Sequence, residues 1–172
     1  GIERDAAAVA SARELGGGPE FLQLDVRDFQ PEPESLDLII AMSQSFGIFW
    51  AVENQACLEQ FARSVRLGGR IILDLWNPDF FANHQGTREF ALETGTVVEK
   101  KWVKDQRLFV RLEYPDGSGE AFDWQLWTAR QMASLGQICG LSLRVACSNF
   151  DADFPPIRES PRIHFILEKS EA

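Results

Sequence analysis

Apolar residues along the chain fall into patterns of different period. Near-continuous runs occupy Leu36-Asp37-Leu38-Ile39-Ile40-Ala41 and Ile71-Ile72-Leu73-Asp74-Leu75. Such runs suit strands covered on both faces, as in a parallel sheet. Between them Leu58, Phe61, Ala62 and Val65 stand at i, i+3, i+4 and i+7. That spacing predicts a helix over 53–66 with one apolar stripe, ended by Gly68-Gly69. Strand, helix and strand with short connections make a βαβ unit. A different period governs the next segment. Leu108, Val110, Leu112 and Tyr114 alternate with Phe109, Arg111 and Glu113, the signature of a strand with two unlike faces. Strands are expected over 96–102, 107–114 and 120–127, with turns at Asp105-Gln106 and Pro115-Asp116-Gly117. Residues 86–127 are thus expected to form a small antiparallel β insertion, serving as a substrate lid within one domain over 1–172.

The flanking segments complete the order. Asp5 is placed to cap an alanine-rich helix that Gly16-Gly17-Gly18-Pro19 stops. Phe21–Leu24 reads as a short strand, and Pro31 and Pro33 mark a loop. Thr128 caps a helix to about Cys139 with Met132, Leu135 and Ile138 on one face. Leu141–Cys147 and Ile163–Leu167 are the last strands. Alternation of this kind predicts an α/β protein with a doubly wound, Rossmann-like sheet.

Charge and composition narrow the partners. Seventeen Lys+Arg against twenty-six Asp+Glu give a net charge of -9 in 172 residues. An acidic chain without a basic block does not suit phosphate-driven nucleic-acid binding. No apolar run approaches the roughly 20 residues of a membrane helix. No basic-then-apolar leader opens the sequence. Cys57, Cys139 and Cys147 are odd in number and form no CxxC pair, which suggests buried thiols in a reducing, cytoplasmic setting. His84 and His164 are far apart, so no metal site is expected.

In doubly wound sheets, ligands bind beyond the carboxyl ends of the strands. That rule singles out Glu3, Asp25 and the residues after Ala41 and Leu75. A carboxylate at Glu3 can accept both hydrogen bonds of a ribose diol; a surface acid near a helix N-terminus reads equally well there. Asp25 can accept from an exocyclic amine while the Val26 N–H donates to a ring nitrogen. The commoner use of such an Asp is an Asx turn.

The segments GIERDAAAVASARE, FLQLDVRDF, LDLIIAMSQSFGIF and LEQFARSVRLGGRIILDLWNP occur in an order and spacing similar to class I S-adenosylmethionine-dependent methyltransferases. They cover about the first half of the chain. The later DWQLWTARQMASLGQICGL resembles the C-terminal part of small-molecule members with an inserted antiparallel sheet. The resemblance implies S-adenosyl-L-methionine as cofactor. Glu3, with Arg4 beside it, matches the ribose-binding acid after the second strand. Asp25 and Val26 match the adenine-binding pair. Ala41, Met42 and Ser43 match the stretch flanking the methionine part. Gly68-Gly69 matches a structural turn before the fifth strand.

One departure stands out. The family's first strand, glycine-rich loop and following helix have no match here, and Gly16-Gly17-Gly18 lies at the wrong end of a helix to replace them. Two consequences are expected: weak or no cofactor affinity for these 172 residues, and two exposed parallel edges. A homodimer is one way to cover such an edge; a longer gene product is another.

The substrate is expected against Phe46, Phe49, Trp50, Trp76, Asn77, Trp124 and Arg162. Each has a plainer use. Trp124 and Trp127 suit core packing of the insertion, and Arg162 a surface ion pair. Asn77-Pro78-Asp79-Phe80 resembles the Asn-Pro-Pro-Tyr/Phe motif of base-modifying amino-methyltransferases only in part, and here reads as a strand exit stopped by Pro78. His84 reads as a solvated loop residue and His164 as a structural imidazole. No catalytic acid or base stands out. Methyl transfer from a sulfonium passes the positive charge to the acceptor and rests largely on alignment and water exclusion. Three functions fit: a methyltransferase, or part of one, acting on a small-molecule acceptor; a non-catalytic module of that fold; and a nicotinamide-dependent enzyme, against which the absent glycine loop counts equally.

Overall fold

The structure is a computed structural model describing residues 1–170. β1 (Ile2–Glu3) leads into α1 (Ala6–Glu14), which Asp5 starts by accepting the Ala8 N–H at 2.8 Å. β2 (Leu22–Gln23) runs parallel to β1, with Glu3 opposite Gln23. A single 3-10 turn at Val26–Asp28 follows.

β3 (Leu36–Ala41), α2 (Ala51–Ser64) and β4 (Val65–Trp76) form the βαβ unit. β3 and β4 are parallel, Ile39 opposite Ile71 and Ala41 opposite Leu73. α2 buries Leu58, Phe61 and Ala62 against them. Complete burial of a leucine such as Leu58 contributes about 1.5–3 kcal/mol. The helix ends earlier than its apolar stripe predicts, because Val65 is already extended at φ -78° and ψ 141°. Gly68-Gly69 therefore does not stop the helix. It lies in a bulge where β4 advances from Val65 to Arg70 while β3 advances from Leu36 to Leu38. Gly68 takes φ 73° there, a conformation that favours glycine.

On the far side of β4 lie β10 (Arg162–Lys169) and then β9 (Leu141–Cys147), giving the order β3-β4-β10-β9. Both added pairings are antiparallel, so the sheet is mixed. The loop 148–161 between β9 and β10 contains no helix, and parallel neighbours need a crossover. α4 (Ala129–Ile138), capped by Thr128, packs on β9. The main core centres on Leu58, Val65, Ile71, Leu73, Phe165 and Leu167.

A second sheet is built from β5 (Gly86–Leu92), β6 (Gly95–Lys104), β7 (Arg107–Glu113) and β8 (Gly119–Gln125), antiparallel in sequence order. It has four strands where the patterning predicts three. β5 was hidden because all seven of its residues are exposed, which leaves no apolar alternation to read. Asp105 and Gln106 make a left-handed turn at φ 50° and 59°, the geometry that suits a tight hairpin. α3 (Pro78–Asn83) connects the sheets. Pro78 does more than stop a strand. It occupies the first turn of α3 behind the Asn77 cap, where its missing N–H costs nothing.

β1 and β2 form a sheet of their own, unbonded to β3. A cavity of about 320 Å³ separates the two, lined by Ile2, Val26, Leu38, Ile40, Ala41 and Phe46 among others. On the free edge of β3, Leu38 is 45% and Ile40 55% exposed. Among the described residues, no helix is long and apolar enough to cross a membrane.

An open apolar edge invites pairing with another chain. The protein is expected to self-associate with rising concentration in sedimentation velocity. Leu38→Lys with Ile40→Lys should shift it towards monomer, and an unchanged distribution would reject the β3 edge as the contact.

Candidate functional site

Glu3 ends β1 and Asp25 lies just beyond β2, so the parallel pairing of these strands brings the two acids to one end. Together with Arg4, Leu24, Val26, Ser45, Ile48 and Phe49 they line a cleft of about 240 Å³. Ile2, Val26, Ser45 and Phe49 also border the larger cavity beside β3. The Glu3 Oε1 accepts the Asp5 N–H at 2.8 Å. Asp25 is held by Arg27: Oδ1 accepts the Arg27 Nε at 3.0 Å, and Oδ2 accepts Nη2 at 2.9 Å. The side-chain hydrogen bond from Arg27 is the main reason the Asp25 carboxyl is lowered to about 2. Arg27 also reaches Glu53 at 2.9 Å and lies 4.4 Å over the Phe49 ring. It thereby ties the turn after β2 to the start of α2.

The chain leaves β3 through a sharp corner. Ala41 is buried against the larger cavity, whereas Met42 and Ser43 are exposed. Ser43 and Gln44 both have positive φ, 52° and 64°. The Ser43 N–H donates to Asp74 Oδ2 at 2.9 Å, and the Gln44 N–H to the Asp74 carbonyl at 3.0 Å. Gln44 is itself buried; its Oε1 accepts the Trp76 N–H and its Nε2 donates to the Phe46 carbonyl at 3.1 Å.

Asp74 lies opposite His164 in the β4–β10 ladder, two positions from the Arg162–Trp76 pair. Arg162 donates Nε to Asp74 Oδ1 at 2.7 Å, with its Nη2 2.5 Å from Oδ2, and His164 Nε2 is 3.2 Å from Oδ1. Burial pushes the Asp74 carboxyl upward, but hydrogen bonds from Arg162 and the Ser43 N–H, with the Arg162 charge, hold it below the usual carboxylate range. Burial is also the largest influence on His164 and favours the neutral imidazole, against the pull of Asp74.

Aromatic side chains join the second sheet to this end of the first. Trp76 meets Phe81 at 5.3 Å and Trp124 at 6.3 Å, and the Arg162 guanidinium sits 4.3 Å from its ring. Arg107 on β7 is buried; it pairs with Asp123, donates to the Phe49 carbonyl at 2.7 Å and covers the exposed Trp50 at 4.4 Å. Gly47 is pressed against this junction, where an added Cβ would lie 2.8 Å from Trp127.

The residues singled out in the sequence thus divide into groups. Glu3, Arg4, Asp25, Val26 and Phe49 line one cleft. Trp76, Trp124 and Arg162 form a separate contiguous cluster. Phe46 is buried and stacks on Trp127 at 5.1 Å, so both belong to the main core. Asn77 is buried and its amide is used internally, donating to the Ile157 and Ser160 carbonyls and accepting the Asp79 N–H. His84 is exposed and stacks on Phe80 at 3.7 Å. Arg27, Gln44, Asp74 and Arg107 escaped the sequence reading. Only Asp74 carried a signal, a single charge inside the apolar run 71–75.

The whole arrangement matches solved structures. Over 99% of this chain and 74% of theirs, it superposes on an S-adenosylmethionine-dependent methyltransferase from Clostridium acetobutylicum (TM-score 0.81, 11% identity) and on the CcbJ methyltransferase from Streptomyces caelestis (0.80, 12%). The sugar N-methyltransferase KedS8 from Streptoalloteichus matches at 0.71 and 19% identity, covering 99% of this chain and 70% of that one. The fold is that of the class I S-adenosylmethionine-dependent methyltransferases. No family model and no curated protein matches the sequence, so the likeness is one of methyltransferase architecture. The cleft carries two acidic acceptors at separate positions, with Ile2, Leu24, Ile48 and Phe49 as apolar walls. All three cysteines are free, and burial raises the Cys57 thiol to about 11. Among the described residues, no group of three or more His, Cys, Asp or Glu is placed to hold a metal ion.

The buried imidazole predicts a stability profile. His164 is lowered from 6.5, so on acidification the unfolded chain takes up a proton that the folded chain refuses. The stabilisation is present above that value and is lost as pH falls toward the folded value. The thermal unfolding midpoint should drop between about pH 7.5 and about pH 5.5, and His164→Gln should flatten the drop. Equal slopes in the two proteins would exclude His164 as its source.

Proposed function

We propose that this chain is the working part of an S-adenosyl-L-methionine-dependent methyltransferase whose acceptor is a small molecule. One observation carries the reading: Glu3 and Asp25, at the tips of paired strands β1 and β2, line a single cleft with Val26 and Phe49. Glu3 would accept the ribose hydroxyls with Arg4 alongside. Asp25 and Val26 would address the edge of the adenine between the Ile48 and Phe49 walls. Ala41, Met42 and Ser43 would flank the methionine portion. When bound, the cofactor supplies a methyl group on a sulfonium.

The chain's own contribution is positional. Its residues hold the donor group, orient the acceptor and keep water away. Trp76, Trp124 and Arg162 offer one aromatic and cationic wall for an acceptor, and Phe49 and Trp50 another, with the antiparallel sheet over 86–127 as the lid. Phe46 and Asn77 support these walls from behind, since both are buried. No acid or base is needed for an acceptor that is already a free amine, and none is assigned. The net charge of -9 argues against nucleic acid as acceptor, and the free thiols suit a cytoplasmic setting.

A second reading draws on Arg27, which already engages both Asp25 oxygens. If a ligand cannot displace it, the chain is a methyltransferase-like binding or interaction module without catalysis.

Calorimetry with S-adenosylmethionine and its demethylated product distinguishes the two. A folded protein extended by about 40–60 N-terminal residues, sized on the ~30 residues or more of a βαβ start, should bind both. Glu3→Gln and Asp25→Asn should each weaken binding about tenfold, or ~1.4 kcal/mol. The 172 residues alone should bind weakly or not at all. No heat from the extended protein removes the methyl-donor reading. Binding without transfer to any of a panel of amines, sugars and phenols supports the module.

A further inference from the structure

The corner at the end of β3 holds two consecutive non-glycine residues in the left-handed region, Ser43 at φ 52° and Gln44 at φ 64°. Such residues are strained and persist only where their surroundings over-determine them. Asp74 is the group that does so. It is buried, and its carboxylate receives four donors: Arg162 Nε and His164 Nε2 on Oδ1, and Arg162 Nη2 and the Ser43 N–H on Oδ2. Its carbonyl takes the Gln44 N–H, and Gln44 Oε1 returns to the next strand residue but one by accepting the Trp76 N–H. Two strands, β4 and β10, and the corner after β3 therefore meet on one carboxylate.

The far end of the corner is Ser45, which lines both the Glu3–Asp25 cleft and the cavity beside β3. Geometry imposed at Ser43 and Gln44 is thus passed directly to a wall of the candidate site. We infer that Asp74 is a positioning residue: it fixes the Met42–Ser45 corner in its left-handed form and so sets the wall of the ligand cleft, with Arg162 and His164 orienting its two oxygens. Charge matters to this role. A carboxylate accepts at both oxygens, whereas an amide in its place turns one acceptor into a donor facing Arg162 or Ser43.

The corner itself needs no ligand, but its effect on a ligand rests on the methyl-donor reading above. Hydrogen exchange of the 172-residue chain reads the corner directly. Asp74→Asn should speed exchange of the Ser43 and Gln44 amides at least tenfold, while amides of the β4–β10 ladder stay protected. Should Asp74→Asn fail to fold, Arg162→Gln, which leaves the carboxylate with two donors, should give the same local loosening in smaller measure. In the N-terminally extended protein, calorimetry of Asp74→Asn should show at least tenfold weaker binding of S-adenosylhomocysteine. Unchanged exchange at the corner, loss of protection across the whole sheet, or unchanged binding of S-adenosylhomocysteine would each overturn the inference. If the unsubstituted extended protein does not bind S-adenosylhomocysteine, the methyl-donor reading fails, and the exchange result alone decides the role of Asp74.

Discussion

The β4–β10 ladder is the constraint on which the rest of the molecule depends. β4 is bonded on both sides, parallel to β3 and antiparallel to β10, and its inward residues Ile71, Leu73 and Leu75 are almost wholly buried. The register sets Leu73 opposite Phe165, Asp74 opposite His164 and Trp76 opposite Arg162. One slip would turn every apolar side chain to the other face and separate Asp74 from its imidazole. The same register that closes the core therefore assembles a polar cluster at the strand tips. A charge buried in this way is tolerable only because its oxygens are filled by a guanidinium, an imidazole and a backbone N–H.

The antiparallel sheet is attached to that frame by a different kind of contact. Its hairpins are local and regular, but its fastening is specific. Gln125 donates its N–H to the Gly47 carbonyl at 2.8 Å, and Arg107 reaches the Phe49 carbonyl. Phe46 stacks on Trp127, which follows β8 directly, so the main core extends into the exit of the second sheet. Trp76 performs the reciprocal task, leaving β4 to pack with Phe81 and Trp124 in the smaller core. The edge strand β5, by contrast, is exposed along its whole length.

Much of this was legible in the chain because local signals agreed with the tertiary outcome. The apolar runs at 36–41 and 71–75, the stripe on α2, the Asp5 and Thr128 caps and the Asp105-Gln106 turn each reflect backbone preference and burial at once. Three features were not legible, for separate reasons. No residue of β5 is buried, so no periodicity marks it. α3 hides behind Pro78, which stops strands as readily as it starts helices. The early end of α2 follows from Val65 joining the sheet, a tertiary gain that no helical pattern can register. At the site, the acids at strand tips were readable from topology alone. Arg27 and Arg107 were not, since each acts across a sequence distance that only the fold closes.

The acids at the strand tips are already paired. Asp25 is paired with Arg27, Asp74 with Arg162 and His164, and Glu3 accepts a backbone N–H, so each acid already has local compensation. Pairing lowers the carboxyls of Asp25 and Asp74 and leaves neither poised to titrate near neutrality. Burial keeps His164 neutral and uses its Nε2 on Asp74, which removes it as a proton acceptor for an incoming molecule. The paired acids and the neutral imidazole hold shape and fixed charge at this end of the sheet. The methyl transfer proposed above asks mainly for alignment and exclusion of water. Proton-transfer enzymes show the opposite arrangement, with an acid or base held near its working pH and reachable by the reacting atom.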